Sequence, residues 1–163
     1  DESHGGTVEP DVHRAFTRFV KETEPRLSYA LAAAYGLEVG AEATADALVW
    51  AWEHWESLEA KRNPAGYLYR VGQSKARRYH RPSILFPALP APEAPSVEPG
   101  LTDAMASLSK NQRVAVVLIH GMEYSEREVA DLLGISRWSV RTHADRGLRR
   151  LRSALGVTAD VTG

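Results

Sequence analysis

The segment SEREVADLLGISRWSVRTHADRGLRRLR, residues 125–152, decides the fold of this chain. Ser125 followed three residues later by Glu128 predicts a capping box, in which side chains and backbone satisfy free donors at a helix start. Gly134 is predicted to end this helix, because glycine adopts the left-handed backbone of a helix C-terminus at little cost. Ser136 is a suitable cap for a second helix. Two helices joined by so short a turn are typical of a helix-turn-helix.

Small and apolar residues give the second of these helices a face suited to burial. Ala130, in the first helix, is small where the two helices must cross, and Val140 is expected to point back into that crossing. Apolar residues of the second helix recur at three- and four-residue steps, which predicts one buried face. They are Val140, Ala144, Gly147, Leu148, Leu151 and Leu155.

The opposite face of the same helix is basic. Residues 136–152 hold six arginines and one aspartate, in a chain whose formal net charge is only -1. Arginines near the start of a recognition helix can donate two hydrogen bonds to guanine in the major groove, and those farther along meet phosphates. A merely solvated basic face is the alternative, but caps, turn and apolar face all agree with DNA binding. The predicted contacts are Ser136, Arg137, Trp138, Arg141, Thr142, Arg146 and Arg149.

Composition limits the class of protein. With 163 residues, 44% hydrophobic and 25% charged, the chain is expected to form one soluble globular domain or two small ones. It has no cysteine, which excludes disulfides, thiolate metal sites and cysteine nucleophiles. No apolar run approaches the length of a membrane span, and residues 1–6 lack the basic start of a secretory leader. We expect a cytoplasmic protein without a membrane partner.

Catalysis has little support in the sequence. Neither His54 nor His120 pairs with a second histidine four residues away, the spacing of a helical metal site. No strand pattern precedes a glycine-rich phosphate loop, and Ser125 is better suited to capping than to nucleophilic attack. We therefore predict no enzyme, no cofactor and no metal site.

A proline-rich segment divides the chain. Residues 82–99, PSILFPALPAPEAPSVEP, hold six prolines in eighteen residues, which excludes a continuous helix or a paired central strand. The prediction is an all-α protein with two small helical domains, residues 8–81 and 101–156, joined by a linker over residues 82–100. The apolar first half of this linker is expected to pack either on the chain itself or in a partner's groove. Its apolar residues are Ile84, Leu85, Phe86 and Leu89.

Two helices are predicted before a third, basic one. The first covers about residues 11–35 and ends at Gly36, and the second covers about residues 41–58. Trp50 lies off the predicted stripe of the second helix, which makes it a candidate partner contact, since exposed aromatics often anchor interfaces. The predicted buried stripe consists of Ala45, Leu48, Val49, Trp52 and Trp55.

The third helix opens at Asn63, a favourable N-cap, with Pro64 in the first helical position, and extends to about His80. Residues 70–81 contain five basic side chains and no acidic one, and Tyr67, Tyr69 and Tyr79 are interleaved with basic residues along the same helix. This mixture suits single-stranded nucleic acid, because cations hold the backbone and rings stack on unpaired bases. The alternative is a solvated basic face with the tyrosines in the core. After the linker, residues 101–108 and 110–120 are predicted to form two more helices.

This helix order and three residue blocks resemble the extracytoplasmic-function class of bacterial sigma factors, in the sigma-70 family. The blocks are AWEHW at residues 51–55, NPAGYLYRV at 63–71 and the whole of residues 112–152. Members of the class carry region 2 and region 4 joined by a linker, and the resemblance covers nearly the whole chain. It implies a three-helix bundle for region 2 and a four-helix domain with the helix-turn-helix for region 4.

The resemblance implies a transcription initiation factor that binds core RNA polymerase, through its clamp helices and flap, and promoter DNA. The helix-turn-helix would read the -35 element and the third helix would open and read the -10 element. The family often has an anti-sigma factor as a further partner. The implied polymerase-binding residues are Glu42, Asp46, Trp50 and Glu53. The implied -10 residues are Tyr67, Arg70, Gln73, Ser74, Lys75, Arg77 and Arg78.

Two departures from the family pattern leave a second interpretation open. Ala45 stands where the polymerase-binding helix often has glutamine, and Gln73-Ser74 stand where the third helix often has Arg-Asn. Both changes remove hydrogen-bonding groups. The alternative is therefore a degenerate sigma-like protein or a stand-alone helix-turn-helix regulator that does not support initiation.

Overall fold

The computed structural model describes residues 8–79 and 100–156 of the chain, and all regular structure in these residues is helical. The all-α prediction is therefore confirmed. The elements are α1 (Val8–Tyr35), α2 (Leu37–Glu53), α3 (Trp55–Glu59), α4 (Pro64–Tyr79), α5 (Leu101–Ala106), α6 (Lys110–Ala115), a π-helix (Val116–Gly121), α7 (Glu126–Leu133) and α8 (Arg137–Ala154). Linker residues 80–99 lie outside the described residues, so the predicted domain boundaries remain predictions.

Several helix ends follow from local chemistry. The first helix ends at Tyr35, as predicted, and Gly36 with φ of 96° is the single residue that connects it to α2. The side-chain oxygen of Asn63 accepts a hydrogen bond of 3.1 Å from the Gly66 N–H, which confirms the predicted cap of α4. Ser109 and Gln112 form a capping box at α6 that the sequence analysis missed.

The predicted second helix is wrong at its boundaries. In the structure, α2 begins at Leu37 and ends before His54, where φ of -120° and ψ of 27° lie outside the helical region. Helix α3 then starts at Trp55. The His54 N–H still donates to the Trp50 carbonyl at 2.9 Å, and a ring nitrogen of His54 lies 3.0 Å from the same oxygen. The non-helical backbone angles of this one residue divide the predicted helix, and four helices precede the linker where three were expected.

The helices after the linker also differ from the prediction in detail. The first ends at Ala106, because Ser107 bonds back to the Ala104 carbonyl through its hydroxyl at 2.6 Å and closes a tight last turn. The second changes from α- to π-helix at Val116. There the Met122 N–H donates to the Val117 carbonyl, the five-residue spacing of a π-helix.

The predicted apolar stripe of α2 is largely wrong. Val49 is 58% exposed, Trp52 is 46% exposed, and Ala45 is also exposed. The face that α2 buries consists of small residues, because α1 and α2 approach closely: a Cβ on Gly40 would lie 2.6 Å from the Cα of Ala32. Large side chains cannot fit between such close backbones, so they lie on the outside. The buried residues of α2 are Gly40, Ala43, Thr44, Ala47 and Ala51.

The helices before and after the linker share one hydrophobic cluster. Leu31 of α1 and Leu68 of α4 are completely buried, as are Val114 of α6, Leu118 of the π-helix and, almost completely, Val129 of α7. Helix α1 packs against α6 and the π-helix, and α4 packs against α7. In this structure the two helical groups are docked on each other.

A buried arginine lies at this junction. Arg113 of α6 is only 4% exposed. Its guanidinium donates hydrogen bonds to the carbonyl oxygens of Ala33 at 2.8 Å, Ala34 at 2.9 Å and Leu108 at 2.6 Å. The carbonyls of Ala33 and Ala34 belong to the last turn of α1, where helix geometry leaves them without intrahelical partners. The last turn of α1 has no basic residue of its own, so α6 supplies the cation that its negative end favours.

We predict that Arg113→Met lowers the free energy of unfolding by about 2 to 4 kcal/mol. Methionine restores much of the apolar volume but leaves buried carbonyls without donors. Chemical denaturation measures the loss, with Arg127→Met on the exposed surface of α7 as the matched control. Equal stability of the two variants would contradict the structural role of Arg113.

A second buried polar group lies in the same region and has no such compensation. Tyr69 of α4 is 2% exposed, and its hydroxyl has no hydrogen-bond partner in the part of the chain that the structure describes. Burial raises the pKa of this hydroxyl well above its ordinary value, and the nearby Tyr35 adds to the effect while Arg113 opposes it. A buried hydroxyl without a partner costs stability.

We predict that Tyr69→Phe raises the free energy of unfolding at neutral pH by about 1 kcal/mol. It should also reduce the loss of stability in alkali. Because the pKa of Tyr69 is higher in the folded than in the unfolded state, its titration does not change the free energy of unfolding below about pH 10. As pH rises above that value, the unfolded state releases the proton first and the free energy of unfolding falls. Denaturation at neutral and alkaline pH measures both effects, with the exposed Tyr29→Phe as control. A destabilised Tyr69→Phe protein with an unchanged pH profile would contradict this account.

Candidate nucleic-acid interface

Helices α7 and α8 form the predicted helix-turn-helix. Ser125 and Glu128 make the reciprocal capping box, with both hydrogen bonds present, and Ser136 accepts from the Ser139 N–H at 3.0 Å. Gly134 has φ of 68°, and its N–H donates to the Ala130 carbonyl at 2.9 Å. A side chain at this φ would be strained, which explains why the turn uses glycine. The sequence prediction of this motif is confirmed.

The two faces of α8 separate as predicted. Val140, Ala144 and Gly147 are buried, and Leu148, Leu151 and Leu155 are half-buried. Trp138 is 70% exposed. Thr142 is half-buried, and the remaining predicted DNA contacts are exposed: Ser136, Arg137, Arg141, Arg146 and Arg149. The basic face of α8 is therefore accessible to a ligand.

An ion pair between the two helices was not foreseen. The Arg141 guanidinium donates from Nε to Oε2 of Glu126 at 2.7 Å and from Nη2 to Oε1 at 2.9 Å. Glu126 is the first residue of α7, and the hydrogen bond from Arg141 lowers the pKa of its carboxyl group, with a smaller contribution from the charge of Arg137. The pair joins residues fifteen positions apart on different helices, a separation for which no sequence spacing rule exists.

Helix α4 carries a second basic surface, which we call the α4 groove. It is a surface groove of about 370 Å³ lined by Tyr67, Arg70, Val71, Gln73, Ser74 and Arg77. The structure thus brings together five of the seven side chains predicted for the -10 element. Lys75 and Arg78 do not line it. Arg78 lies instead near Tyr79, whose hydroxyl it affects electrostatically.

The residues predicted to bind polymerase lie on α2, and two of them contact α4. Asp46 accepts a hydrogen bond of 2.5 Å from the Tyr79 hydroxyl, and this bond raises the pKa of Tyr79. Trp50 is half-buried, and its ring centroid lies 5.7 Å from that of Tyr67 in the α4 groove. Glu42 and Glu53 are exposed. The outer face of α2 therefore adjoins the α4 groove.

Two further residues extend this aromatic contact. The ring of His54 stacks on Trp50 with centroids 4.5 Å apart and planes inclined by 15°. The ammonium group of Lys61 lies 4.6 Å from the centroid of Tyr67, a cation–π contact. The i, i+4 spacing of Trp50 and His54 on a helix was the available signal for the first of these contacts. Lys61 follows α3 in a turn, and no feature of the sequence indicated its contact with Tyr67.

Within residues 8–79 and 100–156, no three histidine, cysteine or acidic side chains are placed to hold a metal ion. Among the helices of the described ranges, none has the length and hydropathy needed to cross a bilayer.

Comparison with known proteins identifies the family. Residues 100–151 match the family described as "Sigma-70, region 4". An RNA polymerase sigma-E factor of Streptomyces coelicolor is 33% identical over 119 residues, covering 67% of this chain and 67% of its own. The chain belongs to the extracytoplasmic-function class of the sigma-70 family. A second sigma-E factor, from Streptomyces antibioticus, is 34% identical over 120 residues, covering 67% of this chain and 66% of its own.

A solved structure has a similar fold. The sigma factor RpoE of Bartonella quintana, in complex with the anti-sigma factor NepR, matches 88% of this chain and 98% of its own. The TM-score is 0.63 and the sequence identity is 21%, so the likeness concerns the fold. Family membership confirms two further predictions: the chain is an RNA polymerase sigma factor, and it is not an enzyme.

Proposed function

We propose that this chain binds core RNA polymerase and directs it to promoters by reading two DNA elements with two separate surfaces. The observation that carries the proposal is the pairing of an accessible basic recognition face on α8 with a basic, aromatic groove on α4 in a sigma-family chain. The overall charge of -1 is compatible with this function. A factor that polymerase delivers to DNA does not need strong affinity for DNA on its own.

The α8 face is proposed to read the -35 element. Its first turns carry Arg137, Trp138 and Arg141, near the N-terminus of the helix, where side chains of a recognition helix reach base edges. Arg146 and Arg149 lie farther along the same exposed face and are suited to phosphates. Ser136 and Thr142 complete the proposed contact set.

The α4 groove is proposed to hold the opened -10 element. Tyr67 offers a ring for stacking on an unpaired base, and Arg70 and Arg77 offer cations to the DNA backbone. Gln73 and Ser74 supply the polar groups of the groove wall that can bond to a base edge. Lys75 and Arg78 lie outside the groove lining, and we assign them at most to electrostatic attraction of the DNA.

The outer face of α2 is proposed to bind polymerase through Glu42, Asp46, Trp50 and Glu53. Its carboxylates and half-buried tryptophan suit a partner surface with basic and apolar groups. A cytoplasmic location follows from this partner. The structure of a similar sigma factor with an anti-sigma factor supports the proposal that such an inhibitor also acts on this chain.

Two observations favour the second candidate function, that of a degenerate regulator. Ala45 is exposed on α2, beside the proposed polymerase contacts, and a methyl group there can donate and accept no hydrogen bond. Ser74 lines the α4 groove with a side chain shorter than the family's asparagine. A protein that reads duplex DNA through α8 without engaging polymerase would fit both departures.

The deciding experiment is a reconstituted assay with purified protein and core RNA polymerase. Co-elution with core polymerase together with promoter-dependent transcription is the expected result. Specific binding to duplex DNA without binding to core polymerase would establish the degenerate regulator instead. The variant Ala45→Gln then serves as a test of cause, since restored binding to core polymerase would assign the defect to that position.

We predict that Arg77→Ala slows promoter opening, by roughly tenfold, because it removes a cation from the wall of the α4 groove. Arg78→Ala is the matched control: it changes the charge equally and is adjacent in sequence, but it lies outside the groove lining. Opening is measured by the fluorescence of a base analogue in the -10 element, on duplex and on premelted templates. Equal effects of the two variants, or an equal loss on both templates, would contradict a role of the groove in strand opening.

A further inference from the structure

The exposed ion pair between α7 and α8 calls for an explanation beyond stability. The side chain of Arg141 is 63% exposed and that of Glu126 is 33% exposed, so solvent screens the attraction between them. Exposed pairs of this kind contribute little to folding stability. Yet the geometry is the favourable one, with two parallel hydrogen bonds between guanidinium and carboxylate. Such a pair fixes the direction of the arginine fork more than it stabilises the fold.

The edge of Arg141 that Glu126 leaves open is the edge that reads guanine. Glu126 occupies Nε and one hydrogen of Nη2. A guanidinium has five N–H donors in a rigid plane, so Nη1 and the second hydrogen of Nη2 remain available, side by side. Two parallel donors of this kind match the O6 and N7 acceptors of guanine in the major groove.

Neighbouring arginines on α8 lack this support. Within residues 8–79 and 100–156, the side chains of Arg137, Arg146 and Arg149 have no hydrogen bond or ion pair to another described residue. Their long side chains must lose conformational freedom when they bind DNA, whereas Arg141 is already held. Among these four arginines of the proposed DNA face, the one with a fixed direction is the one best suited to discriminate bases.

We propose that Glu126 is a positioning residue for DNA sequence discrimination, which holds the Arg141 fork in the orientation that reads one guanine. This rests on the proposed function of α8 as a duplex reader. A carboxylate at the DNA surface also repels phosphates, so Glu126 weakens binding to all sequences while it sharpens the choice among them. The two effects have opposite signs on affinity, which gives the proposal a distinctive signature.

The test uses the full chain and a pool of DNA duplexes that carry a randomised segment, with bound sequences read after selection. Affinity for duplex poly(dA-dT), which lacks the O6 and N7 acceptor pair of guanine, measures binding that does not depend on the guanine contact. Arg141→Ala should reduce the base preference at one position by about tenfold. Glu126→Gln should reduce the preference at that same position by roughly three- to tenfold, while binding to poly(dA-dT) becomes about twofold tighter.

Two controls separate positioning from charge. Asp131→Asn neutralises another exposed carboxylate on α7 that has no ion pair with Arg141, and it should leave the base preference unchanged. Glu126→Asp keeps the charge but shortens the reach by one methylene. It should keep the weak binding to poly(dA-dT) and lose part of the preference. Thermal unfolding of each variant confirms that the fold is retained.

A double variant decides whether Glu126 acts through Arg141. In the Arg141→Ala background, Glu126→Gln should cause no further loss of preference at that position. A further loss there would mean that Glu126 contacts the DNA directly, which overturns the positioning role. If the Glu126→Gln protein selects bases with the full wild-type preference, the positioning role is overturned as well. If the wild-type protein selects no sequence, α8 does not read duplex DNA, and the positioning role of Glu126 fails with it. This outcome differs from failure of the positioning role alone, in which the wild-type protein still selects a sequence.

Discussion

The docked arrangement of this sigma factor depends on a buried guanidinium at the end of its first helix. Arg113 reaches from α6 to the last carbonyls of α1 and to the carbonyl of Leu108. Burying a charge is costly unless its hydrogen-bonding capacity is used, and orphan carbonyls at a helix end carry the same requirement. The donors of the guanidinium and the carbonyl acceptors therefore satisfy each other's hydrogen-bonding requirement. The contact therefore stabilises one relative placement of the two helical groups and disfavours partial separation.

A second contact between the groups follows the same rule. Asn63 caps α4 with its side-chain oxygen, and its amide nitrogen donates to the Asp131 carbonyl, near the C-terminal end of α7, at 2.7 Å. One side chain thus satisfies the start of one helix and the end of another. Arg26 adds a bond of 3.1 Å to the Glu128 carbonyl. All of these contacts run from side chain to backbone, so they depend on where the helix backbones lie and not on the identity of the facing side chains.

The surfaces proposed for polymerase and for the opened DNA strand are joined by direct contacts between α2 and α4. Trp50 meets Tyr67, and Asp46 holds the hydroxyl of Tyr79. A partner that moves the side chains of α2 would therefore disturb the wall of the α4 groove and the C-terminal end of helix α4. This adjacency offers a physical route by which polymerase binding and strand capture could affect each other. The α8 face, in contrast, is organised around its own ion pair with α7.

The sequence by itself determined the features that depend on neighbours along the chain. The caps at Ser125, Ser136 and Asn63, the turn at Gly134 and the two faces of α8 follow from spacings of one helical turn, and all are present. The sequence did not determine the buried face of α2, because the close approach of α1 reversed the ordinary preference and placed alanines inside. It also could not give the division at His54.

Only the tertiary structure decided the contacts between distant segments. The fork of Arg141 on Glu126, the second bond of Asn63 and the burial of Arg113 each join residues from different helices, and no local period predicts them. The physical reason is that hydrogen bonds at helix ends and between helices depend on where the backbones lie in space. The chemistry of a side chain determines which hydrogen bonds it can make, and the packing of the helices determines which of those bonds it does make.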